Sequence, residues 1–428
     1  MIPPRIAILH HPRSLAPFGL FQAVGGAAEL LWVVDDTVSG DPQLLRILSR
    51  TGTVVPIGGL DHDEASGVLA TYRPDGIVSF VDDHIELAAA LAERLGLPYH
   101  SPQVAANVVD KARQRVALAR AGVPGPRFWQ VPGGLPTDQL ACLAGTIRYP
   151  GVLKPDHGSG SRGIVRVASP EELVGLLAGS PTGSVVEEYL SDAPDGDRFF
   201  ASYFSVESVV SAGRVSHVAL TGRFPLAEPF RETGNFIPAL LPSPLQRPVL
   251  EMVEAAVEAL GIETSVVHTE IKLTPEGPRL VEVNGRLGGR PPFVLQSVSE
   301  VNLFQVACQV ATGVPVSIEG PVACQGVGFW LMFQPTVTAR RLVSLEGLDH
   351  LQAVEGVEAV SATRQPGEAV DWREGTDSQV LTVRGRAANH DQLRQVIKTI
   401  RSTVTPVYEE GNGGVPVTTA TFSAGTGI

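Results

Sequence analysis

The sequence predicts an α/β (α+β) fold in which an N-terminal parallel-sheet domain is followed by a small domain and a mainly antiparallel C-terminal domain. Three observations support this prediction. Short apolar runs alternate with helical patterns up to about residue 110, two strand patterns flank a glycine-rich loop at 158–163, and period-two alternation begins near residue 198. The change of period separates a sheet covered by helices from a sheet with one polar face.

Length, charge and cysteine content restrict the class of protein. The 428 residues are 43% hydrophobic, which is enough for two or three domains, and the net charge is −12 without any basic run. We therefore expect neither a nucleic acid nor an anionic membrane as partner. The three cysteines show no CxxC spacing, and no apolar run is long enough for a signal sequence or a membrane span. A soluble, cytoplasmic protein is expected.

The first 110 residues contain the pattern of a parallel sheet. The runs RIAILH, ELLWVVDD, TVVPIG and DGIVSFV predict strands, and leucines at 87, 91 and 95 predict a helix that Gly96 ends. No GxGxxG follows the first run, which disfavours dinucleotide binding there. We predict domains over 1–110, 111–190 and 191–320, a small α+β subdomain over 321–410, and a mobile tail over 411–428.

The first candidate site is a glycine-rich loop between two predicted strands. Lys154 lies in the strand GVLKP, and the loop from Gly158 to Gly163 leads into the strand IVRVA. Such a loop can fold its N–H groups over phosphates, whereas a dinucleotide loop must open a helix. A preceding lysine suits a nucleoside triphosphate, and an ordinary surface hairpin is the alternative. If this hairpin faces solvent, Lys154 does not belong to the core. We then expect Lys154→Ala to reduce turnover of the nucleoside triphosphate and to leave folding intact.

The second candidate site is the acidic hairpin HTEIKLTPEGPRLVEVNGR at 268–286. If the hairpin is symmetric about Glu276, Glu270 lies opposite Glu282, with Cβ atoms about 4.5–5.5 Å apart, so that their charges repel. A divalent cation would remove this conflict, and carboxylate and Asn oxygens suit Mg²⁺ or Mn²⁺ rather than zinc. The alternative is a solvent-facing acidic strand. The face with the two glutamates is predicted to present His268, Glu270, Lys272, Leu280, Glu282 and Asn284.

Three further features accompany these two sites. The strand VVEEYL turns acidic at its end, where a carboxylate could accept hydrogen bonds from a ribose, although a domain hinge is an equal alternative. Arg286, two residues after Asn284, could stabilise a transferring phosphoryl group or an oxyanion. Arg290 could pair with a substrate carboxylate or belong to an ordinary loop.

Taken in chain order, these motifs make the sequence similar to the ATP-grasp superfamily, and more narrowly to its carboxylate–amine ligases of the L-amino-acid ligase type. The similarity extends from about residue 75 to 315. It implies an ATP-grasp fold in which the central domain is a lid. The matching segments are Asp110-Lys111 with Arg115, AGVP at 121–124, LKP at 153–155, the loop at 158–163, EEYL at 187–190, ETG at 232–234, HTE at 268–270 and EVNGRLGG at 282–289.

This resemblance implies roles for individual residues. Arg286 and Lys154 would be catalytic, and Glu270, Glu282 and Asn284 would hold the metal ion. ATP contacts are implied for Lys111, Lys154, His157, Gly158, Ser159, Gly160, Ser161, Gly163, Glu187, Glu188, Tyr189, Leu190 and Asp197. Substrate contacts are implied for Glu232, Asn235, His268, Arg286, Gly288, Gly289 and Arg290. The family motif ETGH, whose Glu recognises an amino group, has Asn235 in place of its His.

The reaction that the resemblance implies has two steps: a carboxylate attacks the γ-phosphate of ATP, and an amine then attacks the acyl phosphate. The substrates would be small molecules, with amino acids expected, and a homodimer is left open. One alternative is a biotin-dependent carboxylase subunit, which would need a partner carrier because the chain has no Met-Lys dipeptide. The other is a nucleotide-binding regulatory protein without catalysis, which has little use for a full metal and phosphate set.

Overall fold

Four β-sheets organise the chain in a computed structural model, which describes residues 2–193, 197–411 and 416–418. The N-terminal sheet is parallel throughout, in the order β3-β2-β1-β4, and helices cover both of its faces. Its strands are β1 (Arg5–Leu9), β2 (Glu29–Val34), β3 (Thr53–Pro56) and β4 (Gly76–Ser79). Its helices are α1 (Pro17–Val24), α2 (Asp36–Ser39), α3 (Pro42–Thr51), α4 (His62–Ala70) and α5 (Ile85–Leu95).

The four predicted strands and the helix after them are confirmed. Three of the strands are nearly continuous apolar runs because both faces of the sheet are buried. Helix α5 ends at Gly96, which adopts φ 66° in the left-handed region that favours glycine. Two short helices, α6 (Pro102–Val109) and α7 (Lys111–Arg120), then lead out of this part of the chain.

A second, four-stranded antiparallel sheet carries the glycine-rich loop. It has the order β5-β8-β6-β7, and helices α8 (Thr137–Ala144) and α9 (Pro170–Leu177) share its hydrophobic cluster. The loop joins β6 to β7, as predicted. The strands are β5 (Phe128–Val131), β6 (Gly151–Pro155), β7 (Val165–Val167) and β8 (Ser184–Glu188).

The third sheet has eight strands, all of whose pairings are antiparallel, in the order β13-β12-β9-β10-β11-β14-β17-β16. It continues past residue 320, because β11 pairs with β14. Three strands of the predicted 321–410 subdomain, β14, β16 and β17, therefore extend the preceding sheet. The strands are β9 (Tyr203–Ser211), β10 (Arg214–Arg223), β11 (Gly234–Ile237), β12 (Ser265–Thr274), β13 (Gly277–Asn284), β14 (Val327–Phe333), β16 (Val357–Ala362) and β17 (Leu381–Ala387).

The remaining elements pack around this sheet. The fourth sheet has the order β15-β18-β19. Of the tail predicted over 411–428, Gly411 and residues 416–418 are described, and the rest of that prediction lies outside the described residues. The elements are α10 (Ser243–Leu260), α11 (Pro291–Val298), α12 (Leu303–Ala311), β15 (Ala339–Glu346), α13 (His390–Thr403), β18 (Thr405–Glu410), β19 (Pro416–Thr418) and 3₁₀ segments at Asp82–His84, Leu348–Ala353 and Trp372–Ser378.

Two further findings concern the predicted organisation. Residues 2–193, 197–411 and 416–418 contain no helix that is long and apolar enough to cross a bilayer. The predicted domain boundaries stay predictions: the sheets at residues 5–79 and 128–188 lie within the first two predicted domains, whereas the sheet at 203–387 crosses the predicted boundary at 320. The turns that end β4 and β6 and the hairpin β12–β13 contribute residues to one cavity, which is the candidate site.

Candidate active site

A cavity of about 310 Å³ lies between the glycine-rich loop and the acidic hairpin. Its wall brings together residues from all the predicted domains except the tail: Asp82 after β4, Lys154 on β6, Glu282 on β13 and Thr376 in the last 3₁₀ segment. Cavities of this size, with convergent charged groups, are typical of small-molecule sites.

Most of the residues singled out from the sequence line this cavity. They are Lys111, Lys154, Gly158, Ser159, Gly160, Ser161, Glu187, Glu188, Tyr189, Leu190, Glu232, His268, Glu270, Glu282, Asn284, Arg286, Gly289 and Arg290. The structure places five others elsewhere: His157, Gly163, Asp197, Asn235 and Gly288.

The first four of these residues lie in three different environments. His157 and Gly163 are exposed at the two ends of the loop. Asp197 forms an ion pair with Arg394 of α13, away from the ribose site expected for it. Asn235 lies fully buried in β11, paired with Trp330 of β14.

Gly288 has a spatial role beside the cavity. A Cβ atom there would lie 2.8 Å from Nδ1 of His268 and 3.2 Å from a carboxylate oxygen of Glu207. Gly288 therefore leaves room for the buried ion pair between these two side chains.

Glu187 occupies a buried position between two cations. Its oxygens accept hydrogen bonds from Nε of Arg115 at 2.6 Å and Nζ of Lys154 at 2.7 Å. Burial alone would raise the pKa of Glu187, but the two cations outweigh it and lower this pKa to about 2. The carboxylate thus fixes Lys154 beside the cavity, and its expected contact with adenine or ribose stays a prediction.

Lys154 corrects one expectation from the sequence. Its side chain is only 7% exposed, so it does not face solvent on an open hairpin. Removing it would leave Glu187 with Arg115 alone, and unpaired buried charge is costly. The expectation that Lys154→Ala leaves folding intact is therefore not supported by its position.

Lys111 connects three parts of the site. Its Nζ lies 2.8 Å from Oε1 of Glu282 and donates to the carbonyl of Gly158 at 2.7 Å. Burial opposes its charge, but Glu282 outweighs this effect and raises the pKa of Lys111. Two lysines, Lys111 and Lys154, therefore lie beside the glycine-rich loop, where their side chains can contact phosphate groups.

The acidic hairpin forms with the predicted pairing. Glu270 lies directly opposite Glu282, but the register shifts between Glu270 and Ile271. This bulge turns the side chain of Leu280 into the core, so its predicted position on the polar face is wrong. The bulge also brings Val281 to the cavity wall.

His268 provides a positive charge on the same face. It lies 2.8 Å from Oε2 of Glu207 and 3.4 Å from Oε1 of Glu270. Burial would lower the pKa of His268, but the two carboxylates outweigh it and raise this pKa to about 9. Burial would raise the pKa of Glu270, but its neighbour His268 outweighs burial and lowers this pKa to about 2. Both side chains are charged at neutral pH.

The donor set fits a hard divalent cation. Glu270, Glu282 and Asn284 all line the cavity and offer oxygen atoms, the ligands that Mg²⁺ and Mn²⁺ prefer. No group of three or more His, Cys, Asp and Glu side chains in the described ranges could hold a metal, so the predicted set depends on Asn284 as its third member. In the structure, Lys111 and His268 compensate the charges of the two glutamates.

Several cavity residues were not singled out from the sequence. Asp82 pairs with Arg286, whose Nη2 also donates to Oδ1 of Asn284 at 3.2 Å. Asp82 follows the parallel strand β4 at its carboxyl end, and ligands of parallel sheets bind at that edge, so this rule could have found it. Arg223, at the end of β10, pairs with Glu232 at 3.0 Å. Period-two alternation alone does not distinguish Arg223 from other strand residues.

The glycine-rich loop also contacts the segment Trp372–Ser378. The backbone N–H of Thr376 donates to the carbonyl of Gly160 at 2.8 Å, and Arg162 pairs with Asp377 at 3.3 Å. Gly375 adopts φ 69°, and a Cβ there would lie 2.1 Å from the Gly160 oxygen. Only glycine allows this close approach. The predicted 321–410 subdomain thus supplies part of the cavity wall.

Comparison with known proteins gives matches in sequence and in structure. A family model described as an ATP-grasp domain matches residues 147–291. The chain is 27% identical over 256 residues to alanine–anticapsin ligase of Bacillus subtilis, covering 54% of this chain and 53% of that protein. It is 28% identical over 286 residues to carnosine synthase 1 of Gallus gallus, covering 60% of this chain and 30% of that protein. The chain therefore spans about half or less of these two relatives.

A solved structure of an L-amino acid ligase from Bacillus licheniformis aligns with 96% of this chain and all of its own. The TM-score is 0.76 and the sequence identity 20%, which shows that the two share a fold. The predicted fold class, with a parallel sheet followed by antiparallel sheets, is thereby confirmed.

The buried position of Glu187 leads to a stability prediction. Glu187→Gln leaves Arg115 and Lys154 with uncompensated charge, so we expect the free energy of unfolding to fall by about 3–5 kcal/mol in urea denaturation. Glu188→Gln is the matched control, because its carboxylate pairs with Arg127 at the surface and is worth at most about 1 kcal/mol. Equal effects of both substitutions would contradict the buried-pair interpretation.

The pH dependence of stability gives an independent check. The pKa of Glu187 is lowered from 4.5 to about 2 on folding. Its stabilisation is therefore fully present above pH 4.5 and is lost as the pH falls toward 2. Unfolding measured across this window should be less pH-dependent in Glu187→Gln than in the wild type, and an unchanged slope would contradict the assignment.

Proposed function

We propose that the chain is an ATP-grasp enzyme of the carboxylate–amine ligase type, which joins the carboxylate of an amino acid to the amino group of a second small molecule, with ATP converted to ADP and phosphate. The observation that supports this proposal most strongly is one cavity in which Lys111 and Lys154, beside a glycine-rich loop, face the Glu270–Glu282 hairpin and Arg286. A phosphate-binding half thus adjoins an acidic half that fits a divalent cation.

The first chemical step is transfer of the γ-phosphoryl group. An oxygen of the substrate carboxylate attacks the γ-phosphorus, the bond to the β-phosphate oxygen breaks, and ADP leaves. Lys111 and Lys154 would compensate phosphate charge, while the N–H groups of the loop at 158–163 orient the chain of phosphates. No side chain has to form a covalent bond in this step, so most of the catalysis comes from positioning the carboxylate and the γ-phosphate next to each other.

The second step forms the amide. The amine attacks the carbonyl carbon of the acyl phosphate, phosphate leaves, and the nitrogen loses a proton. Arg286 lies beside Asn284 and would stabilise the negative charge that develops on the carbonyl oxygen. The contact between Gly160 and Thr376 holds the loop over the cavity, where it would limit hydrolysis of the acyl phosphate by water.

A divalent cation would be held by Glu270, Glu282 and Asn284, and it would neutralise charge on the phosphates. Protonated His268 orients the carboxylate of Glu270 for this purpose. Which of the two ions, Mg²⁺ or Mn²⁺, binds here depends on their concentrations in the cell as well as on these oxygen ligands.

An amino-acid substrate is supported by two observations. Glu232, in the ETG segment, lines the cavity and can face an ammonium group with the oxygen that Arg223 does not occupy. The relative from Bacillus subtilis is named for the ligation of alanine, and it is similar over this part of the chain. We also propose a cytoplasmic location, since Cys142, Cys308 and Cys324 are all free thiols. A homodimer stays a prediction.

The test of this function is a screen of amino-acid pairs by phosphate release, with mass spectrometry of the products. We expect phosphate and an amide product for at least one pair, and hydroxylamine should trap the acyl phosphate as a hydroxamate when the amine is omitted. Phosphate release that depends on bicarbonate and a biotinylated carrier, or tight ATP binding without turnover, would contradict the proposal.

Glu282→Gln tests the metal assignment. Loss of one of two opposed carboxylates should raise the Mg²⁺ concentration for half-maximal activity about tenfold or more, and should weaken Mn²⁺ binding measured by electron paramagnetic resonance. Glu276→Gln, in the turn of the same hairpin, is the control and should change neither. Lower thermal stability with unchanged Mn²⁺ binding would show that Glu282 serves only as the partner of Lys111.

Glu232→Ala tests the amine-recognition assignment. We expect a higher KM for the amino acid or a lower kcat, with the KM for ATP nearly unchanged, because the side chain of Glu232 pairs with Arg223 and forms no ion pair with Lys111 or Lys154. Glu228→Ala, on the exposed part of the same loop, is the matched control. A parallel loss of ATP affinity in Glu232→Ala would remove this residue from the substrate site.

A further inference from the structure

One residue of the C-terminal part of the chain, Thr376, forms hydrogen bonds to two other walls of the cavity. Its backbone N–H donates to the carbonyl of Gly160 in the glycine-rich loop at 2.8 Å. Its Oγ1 accepts a hydrogen bond from the backbone N–H of Glu232 at 3.3 Å. Thr376 is only 4% exposed and itself lines the cavity. A single residue therefore joins the glycine-rich loop to the segment that carries Glu232.

Gln334, which follows β14, fixes Thr376 from the other side. Its Nε2 donates to the carbonyl of Thr376 at 3.0 Å and to the carbonyl of Glu232 at 2.7 Å. Its Oε1 accepts from Oγ of Ser378 at 2.9 Å, and Nη1 of the buried Arg231 donates to the same hydroxyl at 3.1 Å. Because the loss of a buried hydrogen bond is costly, we expect Thr376 and the segment of Glu232 to move together.

The contact of this unit with the glycine-rich loop lies nearer to solvent. Gly160 is exposed, and Asp377, which pairs with Arg162 at 3.3 Å, has a side chain that is 50% exposed. Exposed ion pairs contribute little free energy, so the loop can separate from this segment at small cost. An open loop admits a nucleotide, and a closed loop excludes water from the cavity.

We propose that Thr376 is a positioning residue through which an ammonium-bearing substrate at Glu232 favours closure of the glycine-rich loop over the acyl phosphate. This inference rests on the proposed function and specifies how its site is regulated. Binding that orders one segment lowers the entropy cost of ordering a second segment joined to it. By linkage, closure of the loop strengthens binding at Glu232 by the same factor.

The coupling protects the acyl phosphate from water. In an open cavity, water attacks the carbonyl carbon, the bond from this carbon to the phosphate oxygen breaks, and phosphate leaves. The donor carboxylate is regenerated with release of a proton, so that ATP is consumed without formation of an amide. A loop that closes in response to the ammonium-bearing substrate limits this loss.

Hydrogen–deuterium exchange of residues 158–163, followed by mass spectrometry, tests the coupling without turnover. The protein is saturated with Mg²⁺ and AMP-PNP, a nonhydrolysable ATP analogue, and the probe is an equimolar mixture of the twenty standard amino acids. We expect the mixture to slow exchange of the loop about fivefold, near the lower end of coupling between linked sites. Propionate, which carries a carboxylate without an ammonium group, is the control ligand and should leave the exchange unchanged.

Thr376→Val removes the hydroxyl that accepts from Glu232 and keeps the backbone contact with Gly160. We expect this variant and Glu232→Ala to abolish the response of the loop to amino acids. Thr376→Val should also raise the phosphate released per amide formed about threefold or more, because the cavity closes less completely. Thr376→Ser keeps the hydroxyl and should restore both properties. Glu374→Gln is the control and should change neither, because Glu374 lies in the same segment but pairs with Arg364.

Two results would overturn the inference. Loop exchange that amino acids do not slow in the wild type would show that closure is independent of Glu232, even if Thr376→Val does not fold. An unchanged response in folded Thr376→Val would remove Thr376 from the coupling. Both are measured without turnover and are thus distinct from absence of phosphate and hydroxamate with every donor, which would refute the ligase function.

Discussion

The compensation of buried charge around one cavity is the constraint on which this structure depends. Two acids of the cavity wall pair with cations from other elements: Glu187 with Arg115 and Lys154, and Glu282 with Lys111. Buried charges are tolerated only when they are paired, so these contacts fix how the second sheet lies against α7 and the eight-stranded sheet. The same cations are those that a polyphosphate needs. The same ion pairs therefore stabilise the packing of the sheets and position the lysines of the cavity.

The wall around Glu232 carries charges of both signs. Arg223 pairs with Glu232 and also lies near Glu270 and Glu207, Arg286 pairs with Asp82, and Arg290 donates to Gln379. An ammonium group that binds Glu232 would contact a carboxylate that already accepts a hydrogen bond from Arg223.

The C-terminal part of the chain contributes more than a structural extension. Its strands β14, β16 and β17 continue the eight-stranded sheet, and Gly375 and Thr376 contact the glycine-rich loop. Gln379, just after this segment, orients Arg290. One segment, more than 200 residues away from the loop in the sequence, thus contacts both the glycine-rich loop and Arg290.

Periodicity and motif order determined much of this protein. The parallel strands, the strand–loop–strand context of the glycines and the opposition of Glu270 to Glu282 follow from local pattern, because apolar alternation and turn residues specify elements and their register. Only the tertiary structure decided the rest. A one-residue bulge moved Leu280 into the core, and distant pairing placed Asp82 on Arg286 and gave Arg223 its role. Such long-range contacts are set by how separate sheets pack, which no local spacing encodes.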